Sequence, residues 1–413
     1  MQTNLTQAIK DTPEGREAEA ILGKCVHCGF CLATCPTYNL LGDELDSPRG
    51  RIYLMKEMLE GAKVTQETQL HLDRCLTCRA CESTCPSGVQ YGRLVDIGRE
   101  MVEREVPRSL KDWLTRSVLK NALPQTALFG ATLAVGRMFK PLLPAALAKK
   151  IPAKRDAGLW PETTHARKML VLAGCVQPAM APSINTATAR VLDKLGVTLI
   201  TAPSAGCCGA IAHHLNDAHQ AHAAIKRNID AWWPYVMDGV EAIVITASGC
   251  GTMVAEYGHT LRDDACYAEK AAKISALFRD VSSVIAAEKN ALGKLLQAAK
   301  PASTKLAFHA PCSLQHGLQI KGVVEGLLRD AGFELTAVPE GHLCCGSAGT
   351  YSITQPALSQ RLLTNKIAAL ESGAPAMVAT ANIGCLAHIE GGLNASTGTP
   401  IQHWIELLDA RLR

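Results

Sequence analysis

Two stretches of the chain place cysteines at one shared spacing, Cys-x2-Cys-x2-Cys-x3-Cys-Pro. The first consists of Cys25, Cys28, Cys31, Cys35 and Pro36, and the second of Cys75, Cys78, Cys81, Cys85 and Pro86. Three thiolates at intervals of three residues can wrap one face of a cubane cluster, while the fourth cysteine points away and the proline turns the chain. The two stretches therefore predict two [4Fe–4S] clusters and one-electron redox chemistry.

The fourth cysteine of such a stretch ligates the other cluster in proteins that hold two of them. We therefore expect one cluster on Cys25, Cys28, Cys31 and Cys85, and the second on Cys75, Cys78, Cys81 and Cys35. Structural zinc is the alternative, because it also uses Cys-x2-Cys, but it does not need a third cysteine at this spacing or the Cys-Pro end. His27 lies inside the first stretch, and we expect it not to be a ligand.

The 39 residues between Cys35 and Cys75 predict the helices that position these ligands. Ser47 can cap a helix that has Pro48 at its first position and ends near Gly61. Thr65 can cap a second helix, and a third should follow Cys85. Cysteine stretches separated by helices resemble the α-helical two-cluster ferredoxin domain, which we place at residues 17–105.

Arg49 and Arg51 fall in the first turn of the helix that Ser47 caps. Either could serve cluster electrostatics or bind a partner. Arginines at such positions are usually solvated, and we expect that here.

Composition and charge limit the classes of protein. The net charge is +4 and 47% of the residues are hydrophobic, which fits a globular protein with a real core. No dense basic block occurs, so nucleic acid is not an expected partner. Residues 1–19 are polar, so no signal peptide is predicted. Seventeen cysteines without secretion favour metal ligation in a reducing compartment, the cytoplasm.

No stretch of the sequence is long and apolar enough to span a membrane. The nearest is Leu123–Leu147, which Arg137 and several other residues interrupt, and it lies in a connecting segment at residues 106–166. Four basic residues follow it: Lys149, Lys150, Lys154 and Arg155. We expect its helix to pack on the protein, with peripheral contact to a membrane surface or a partner as the alternative.

The last 245 residues contain an internal repeat. The first copy has Cys175, Cys207, Cys208 and Cys250, and the second has Cys312, Cys344, Cys345 and Cys385. The first interval is 32 residues in both copies, and the second is 43 in one and 41 in the other. In each copy a glycine follows the adjacent cysteines, which gives a Cys-Cys-Gly motif.

Short apolar runs that alternate with helical segments predict an α/β unit in each copy, at residues 167–300 and 301–413. The single cysteines come just after these runs, which places them in the crevice at the carboxyl ends of parallel strands. The Cys-Cys-Gly glycine would let the backbone approach a ligand closely. We therefore expect the eight cysteines of the repeat to be able to hold a further iron–sulfur cluster, with a purely structural role as the alternative.

Several residues near the repeat cysteines have more than one interpretation. His213, His214, His309 and His342 could carry protons near a cluster or quinone, and of these His309 and His342 are the better candidates. Cys266 lies outside both patterns, and we expect it to be buried. Nucleotide-binding glycine motifs are absent from the sequence, so a partner must carry the cofactor that oxidises the substrate.

The sequence resembles the cysteine-rich-domain oxidoreductases, and within them the iron–sulfur subunits of bacterial glycolate oxidase. Five segments carry the resemblance: Cys25–Tyr38, Gly42–Leu54, His71–Val89, Cys344–Tyr351 and Thr380–Cys385. Their order and spacing hold over nearly the whole chain. Heterodisulfide reductases of this group end the repeat motif with Cys-x-x-Cys, whereas Gly-Thr-Met follows Cys250 and Leu-Ala-His follows Cys385. That departure counts against a disulfide-cleaving cluster.

The resemblance implies a complex with an FAD-binding subunit that oxidises glycolate to glyoxylate and with a second flavin-type subunit. This chain would pass electrons from that FAD to quinone or another acceptor, with no substrate-oxidising site of its own. Equivalent subunits of lactate or glycerol 3-phosphate dehydrogenases are the alternatives, as is a thiol–disulfide enzyme. The complex would be cytoplasmic or peripheral on the cytoplasmic face of the inner membrane.

Overall fold

The structure is a computed structural model that describes residues 1–142, 152–298 and 304–413. Part of the predicted apolar segment, the basic residues Lys149 and Lys150, and the predicted boundary between the repeats at residues 300 and 301 lie outside these residues. Within the described residues, none of the helices combines the length and the apolar character that crossing a bilayer requires.

Residues 1–105 form helices without strands. The α-helices are Gln7–Lys10, Pro13–Lys24, Phe30–Ala33, Pro36–Leu41, Pro48–Leu59, Gln66–Asp73, Ala80–Thr84 and Tyr91–Glu105. The predicted caps are confirmed, since the Ser47 hydroxyl accepts a hydrogen bond from the Gly50 amide at 2.9 Å and the Thr65 hydroxyl accepts one from Thr68 at 3.2 Å. A helical layout for the first part of the chain is therefore confirmed.

The core of this helical part forms where helix Pro48–Leu59 crosses helix Tyr91–Glu105. Met55, Leu94 and Val95 are fully buried at the crossing. A Cβ atom on Gly98 would lie 2.6 Å from the Met55 sulfur, so the helices approach closely only because Gly98 has no side chain. This packing supports the two cysteine loops, whose short helices Phe30–Ala33 and Ala80–Thr84 contact each other.

Two four-stranded parallel sheets follow, with the same topology. The first has the order β2-β1-β3-β4, with β1 at Arg167–Val171, β2 at Val197–Thr201, β3 at Ile243–Ile245 and β4 at Phe278–Asp280. The second has the order β6-β5-β7-β8, with β5 at Lys305–His309, β6 at Glu334–Leu335, β7 at Met377–Thr380 and β8 at Ile401–His403. The predicted layout, a helical part followed by two repeated parallel-sheet units, is confirmed.

Helices cover both sheets. Around the first they are Gln177–Met180, Ser183–Lys194, Ala210–His214, Ala218–Met237, Ser248–Ala255, Tyr257–Thr260, Ala268–Leu277, Val281–Ala287 and Lys289–Gln297. Around the second they are Val323–Asp330, Tyr351–Thr354, Pro356–Glu371, Ile383–Leu393 and Trp404–Leu412, with a π-helical turn at Ser313–Gly317.

The two sheet units share one hydrophobic core. Helices Ser183–Lys194 and Trp404–Leu412 pack together at the joint, where Arg190 pairs with the buried Asp409 at 2.7 Å. The His403 Nε2 atom lies 3.0 Å from the Thr246 carbonyl oxygen, at the carboxyl end of the other sheet. The carboxyl ends of the two sheets, and the cysteines that follow them, are thereby held close to each other.

Two connecting helices lie between the helical part and the first sheet. Helix Leu110–Ala122 follows the helical part, and helix Thr126–Phe139 follows it in turn. Helix Thr126–Phe139 touches helix Gln177–Met180 but buries none of its own residues. The helix therefore packs on the protein, as expected, but only along one short helix, and most of its apolar side chains stay partly or fully exposed.

Candidate functional site

The two cysteine loops of the helical part have matching backbones. His27 and Gly29 in the first loop, and Thr77 and Arg79 in the second, have left-handed φ angles of 55°, 83°, 51° and 59°. Each pair stands two and four residues after the first cysteine of its loop. Three of the four residues are not glycine, which marks the loops as strained in the way that ligand clamps often are.

The first cysteine set converges on one pocket. Cys25, Cys28, Cys31 and Cys85 all line it, together with Cys81 and the His27 residue that we expected to be a bystander. Burial raises the pKa of the Cys31 thiol to about 11, so iron would have to displace a proton there. Cys85 thus lies with the first loop, as expected if the fourth cysteine of each stretch ligates the cluster of the other stretch.

The second set is more deeply buried. Cys35 lies close enough to influence the titration of Cys78 and Cys81, as does Cys75. Burial first, and neighbouring thiols second, raise the pKa values of Cys78 and Cys81 well above the ordinary value. The structure thus places Cys35 near Cys78 and Cys81 of the second loop.

Arg51 is buried, which corrects the expectation that it is solvated. Its side chain is 1% exposed and donates to Asp46 at 3.1 Å, to the His71 carbonyl at 2.7 Å and to the Thr37 hydroxyl at 3.1 Å. That hydroxyl lies 3.3 Å from the Cys35 sulfur. Arg51 is therefore linked to Cys35, a proposed cluster ligand, through the side chain of Thr37.

Asp46 is the centre of this buried network and was missed by sequence reasoning. Its carboxylate is fully buried and also meets His71 at 3.1 Å and Arg74 at 2.7 Å. A single acidic residue in a short 3-10 turn gave no signal of burial. Arg49, by contrast, is partly exposed and pairs with Glu44 at 2.8 Å, as expected for a residue of the first turn.

The repeat cysteines lie at equivalent places in the two sheet units. Cys175 and Cys312 follow β1 and β5, while Cys250 and Cys385 are the third residues of the helices after β3 and β7. Each Cys-Cys pair comes from the loop that leads into the next helix. The four sulfur atoms of each copy are thus gathered at the carboxyl ends of the central strands.

The sulfur atoms of each copy form the same chain of contacts. Cys175 and Cys208 both hydrogen-bond Cys207 and lower its thiol pKa to about 3. The Cys312 sulfur is 3.8 Å from the Cys344 sulfur, and hydrogen bonds from Cys312 and Cys345 lower the pKa of Cys344. Each copy therefore favours one thiolate among four cysteines, which is the form that binds metal.

The Cys-Cys-Gly glycines lie against helix backbones. Gly209 and Gly346 have φ angles of 94° and 91°. A Cβ atom on Gly346 would lie 2.6 Å from the Ser359 carbonyl oxygen, and one on Gly209 would lie 3.2 Å from that of Ala221. Each glycine allows the loop to pack closely against the backbone of a later helix.

A cavity of about 540 Å³ connects the three cysteine regions. Its cysteines are Cys75 and Cys78 of the helical part, Cys175, Cys207, Cys208 and Cys250 of the first copy, and Cys312, Cys344 and Cys385 of the second. Ion pairs of Glu256 with Arg79 at 3.4 Å and with Arg93 at 3.1 Å join the first copy to the helical part. The second copy abuts it at Cys78, which lies in one apolar cluster with Cys312 and Cys344.

The four candidate histidines divide by environment. His213 pairs with Asp96 at 3.1 Å; burial opposes its charged form, but the carboxylate outweighs burial and raises its pKa. Burial and the neighbouring His213 lower the pKa of His214 to about 4. His309 is buried beside Cys345 and Cys385, whereas His342 is only half-buried.

Cys266 is exposed, so the expectation that it is buried is wrong. It lies in a turn between helices Tyr257–Thr260 and Ala268–Leu277, where its amide is bonded to Asp264 at 3.0 Å and its side chain faces solvent. No spacing in the sequence distinguishes such a surface cysteine from a core cysteine.

Comparison with protein families matches both cysteine patterns. Residues 21–89 match a 4Fe-4S dicluster domain, and residues 169–255 and 306–390 each match a cysteine-rich domain. These matches cover the helical part and the central strands of both sheets.

Comparison with curated proteins finds relatives over the full length. The glycolate oxidase iron-sulfur subunit of Escherichia coli (strain K12) is 51% identical over 100% of this chain and 99% of its own length. The probable glycolate oxidase iron-sulfur subunit of Bacillus subtilis (strain 168) is 29% identical over 93% of this chain and 92% of its own. The lactate utilization protein A of Bacillus velezensis is 28% identical over 59% of this chain and 100% of its own.

Comparison with solved structures supports the fold alone. A hypothetical protein from Helicobacter pylori aligns with a TM-score of 0.56 and 11% sequence identity, over 98% of this chain and 74% of that one.

Proposed function

This chain belongs to the family of glycolate oxidase iron–sulfur subunits, and we propose that it carries electrons one at a time from the FAD of a glycolate-oxidising partner subunit to an acceptor, quinone. The observation that supports this best is the shared cavity, because cysteines from the helical part and from both repeats line it. A second flavin-type subunit would complete the complex. Glycolate is proposed as the substrate because the full-length relatives are named as subunits of glycolate oxidase.

We propose that the two sets of four in the helical part hold [4Fe–4S] clusters, which supply one-electron redox centres when bound. Buried thiols beside one another, in loops held by left-handed residues, suit this donor set. Cys25, Cys28, Cys31 and Cys85 would hold the more exposed cluster, since Cys28 is exposed. Cys75, Cys78, Cys81 and Cys35 would hold the cluster that faces the repeats.

We further propose one more iron–sulfur cluster on Cys312, Cys344, Cys345 and Cys385 of the second copy. Cys78 and Cys344 share one apolar cluster of side chains, so an electron leaving the helical part meets the second copy first. The first copy offers a similar set, but ion pairs rather than apolar contacts join it to the helical part. We therefore assign no role in electron transfer to the candidate set of the first copy, which is Cys175, Cys207, Cys208 and Cys250.

Lactate is the second candidate substrate of the complex, because a lactate utilization protein matches 59% of this chain. Purified complex should therefore be assayed with glycolate, lactate and glycerol 3-phosphate, following reduction of the chain's clusters. The proposal expects glycolate to reduce them fastest. Faster reduction by lactate or glycerol 3-phosphate would overturn the choice of substrate while leaving the relay intact. A thiol–disulfide enzyme is disfavoured because neither repeat ends in Cys-x-x-Cys.

The connecting helices offer a surface for peripheral contact with the cytoplasmic face of a membrane. Helices Leu110–Ala122 and Thr126–Phe139 expose large apolar side chains at Leu110, Trp113, Leu114, Val118, Leu128, Val135, Met138 and Phe139. Between Asp112 and Asp156 the sequence has eight Lys and Arg residues and no Asp or Glu. Arg116, Lys120 and Arg155 are paired with carboxylates of the protein, so the exposed apolar side chains carry the argument. We propose that they dock into the headgroup region of a membrane.

Replacing Trp113 and Met138 together by glutamate should abolish binding of the complex to vesicles rich in phosphatidylglycerol. Both side chains are exposed, by 58% and 67%, so the fold should tolerate the change. Co-sedimentation with vesicles measures the effect, and Met237→Glu is the matched control, since Met237 is 70% exposed on another helix. Unchanged vesicle binding, or loss of the flavin subunit instead of the vesicles, would contradict lipid as the occupant.

A further inference from the structure

The two repeats differ at one buried position beside their cysteines. His309 stands three residues before Cys312, and Leu172 stands three residues before Cys175. Both are almost completely buried, at 2% and 3% exposed. The second copy therefore carries an imidazole where the first copy carries an aliphatic side chain, although the two sheets share one topology.

The imidazole of His309 is bonded on one side only. Its Nδ1 atom lies 3.0 Å from the Thr380 hydroxyl oxygen on the neighbouring strand β7. Its Nε2 atom is buried without a hydrogen-bond partner. A buried imidazole nitrogen without a hydrogen-bond partner is destabilising unless another group meets it.

His309 lies beside the repeat cysteines. A ring nitrogen of His309 and the sulfur atoms of Cys345 and Cys385 lie within 4.8 Å of one another. Cys345 and Cys385 are themselves joined to Cys344 and Cys312 through sulfur contacts. His309 thus stands beside two members of the four-cysteine set, and the four irons of a cubane need only the four cysteines as ligands.

We propose that His309 donates a hydrogen bond from Nε2 to the sulfur atoms of the cluster held by Cys312, Cys344, Cys345 and Cys385, and so raises the reduction potential of that cluster. The inference rests on the third cluster proposed above. The electron-rich sulfur atoms can accept but not donate, which favours the tautomer with the hydrogen on Nε2 and the Thr380 hydroxyl donating to Nδ1. Hydrogen bonds to cluster sulfur stabilise the added electron.

A second difference between the copies would also favour an added electron in the second copy. Gly209 and Gly346 pack against Ala221 and Ser359, and seven residues further along those helices stand Asn228 and Lys366. Asn228 donates to the Cys207 carbonyl at 2.9 Å, and Lys366 donates to the Glu340 carbonyl at 3.0 Å. Both are buried, so the second copy has an amine where the first has a neutral amide.

The test is an anaerobic redox titration followed by EPR, on the complete chain. The signal of the second copy is first identified as the one lost on Cys344→Ser. His309→Leu, which installs the residue of the first copy, should keep that signal and its iron but move its midpoint to a more negative potential. His309→Gln keeps a donor and should restore most of the shift, and His342→Gln is the control that should change nothing.

Three results would overturn the inference, each in a different way. An unchanged midpoint in His309→Leu, with the iron content of the wild type, would show that His309 does not contact the cluster. Loss of the signal in both His309 variants, with the two ferredoxin signals intact, would make His309 a ligand and not a donor. Absence of any third signal in the wild type would overturn the proposed third cluster, and the role of His309 with it.

Discussion

Replacing Cys28 by serine should remove one cluster and stop electron delivery to quinone, while glycolate still reduces the flavin of the partner subunit. Cys28 is the exposed member of the first set of four, so its loss deprives a cluster of a ligand without opening the protein core. A serine hydroxyl is a poor replacement for a thiolate toward iron. Iron content should fall by about four atoms per chain.

Cys266→Ser is the matched control for this variant, because Cys266 is also exposed but lies outside every cysteine set. It should keep wild-type iron and wild-type quinone reduction. Stopped-flow measurement of flavin reduction, beside steady-state quinone reduction, separates the two halves of the reaction. Quinone reduction at the normal rate in Cys28→Ser would contradict the relay.

Replacing Asp46 by asparagine should destabilise the helical part by about 3–5 kcal/mol, the usual cost of breaking a buried ion pair from one side. The change leaves the fully buried Arg51 guanidinium without its carboxylate and weakens the contacts of His71 and Arg74. Arg51 also supports Thr37 beside Cys35, so the second cluster should become more labile.

The urea midpoint for loss of helical structure, measured on anaerobic protein, reports this effect. Asp263→Asn is the control, since Asp263 is 69% exposed and its pair with Arg262 should contribute at most about 1 kcal/mol. Equal midpoints for the two variants would show that the Asp46 network does not hold the fold.

The cysteine spacing predicted which residues come together, because a ligand set imposes its own geometry on the chain. The repeat intervals likewise predicted two units of one topology, and the Ser47 and Thr65 caps predicted two helix starts, since capping depends on neighbours within one turn. These features are encoded locally or by repetition. They needed no knowledge of how distant segments pack.

The features that the sequence did not reveal all depend on distant packing. Arg51 looks solvated in its own helix turn, but Asp46, Thr37 and the backbone of His71, 20 residues away, bind its guanidinium in the interior. The Cys-Cys-Gly glycines serve helix packing because the helix beginning 9 to 10 residues later folds back over them. Helix Thr126–Phe139 stays exposed because few other segments pack on it, and apolar composition alone cannot indicate that.

The measurement that tests the relay most directly is the iron and acid-labile sulfide content of protein purified without oxygen, with EPR of the dithionite-reduced state. The account predicts about twelve irons per chain and three reduced clusters, since each [4Fe–4S] group contributes four. It also predicts that one signal disappears in Cys344→Ser and persists in Cys208→Ser. About eight irons, with no signal affected by Cys344→Ser, would contradict the third cluster, and zinc in place of iron would contradict the relay itself.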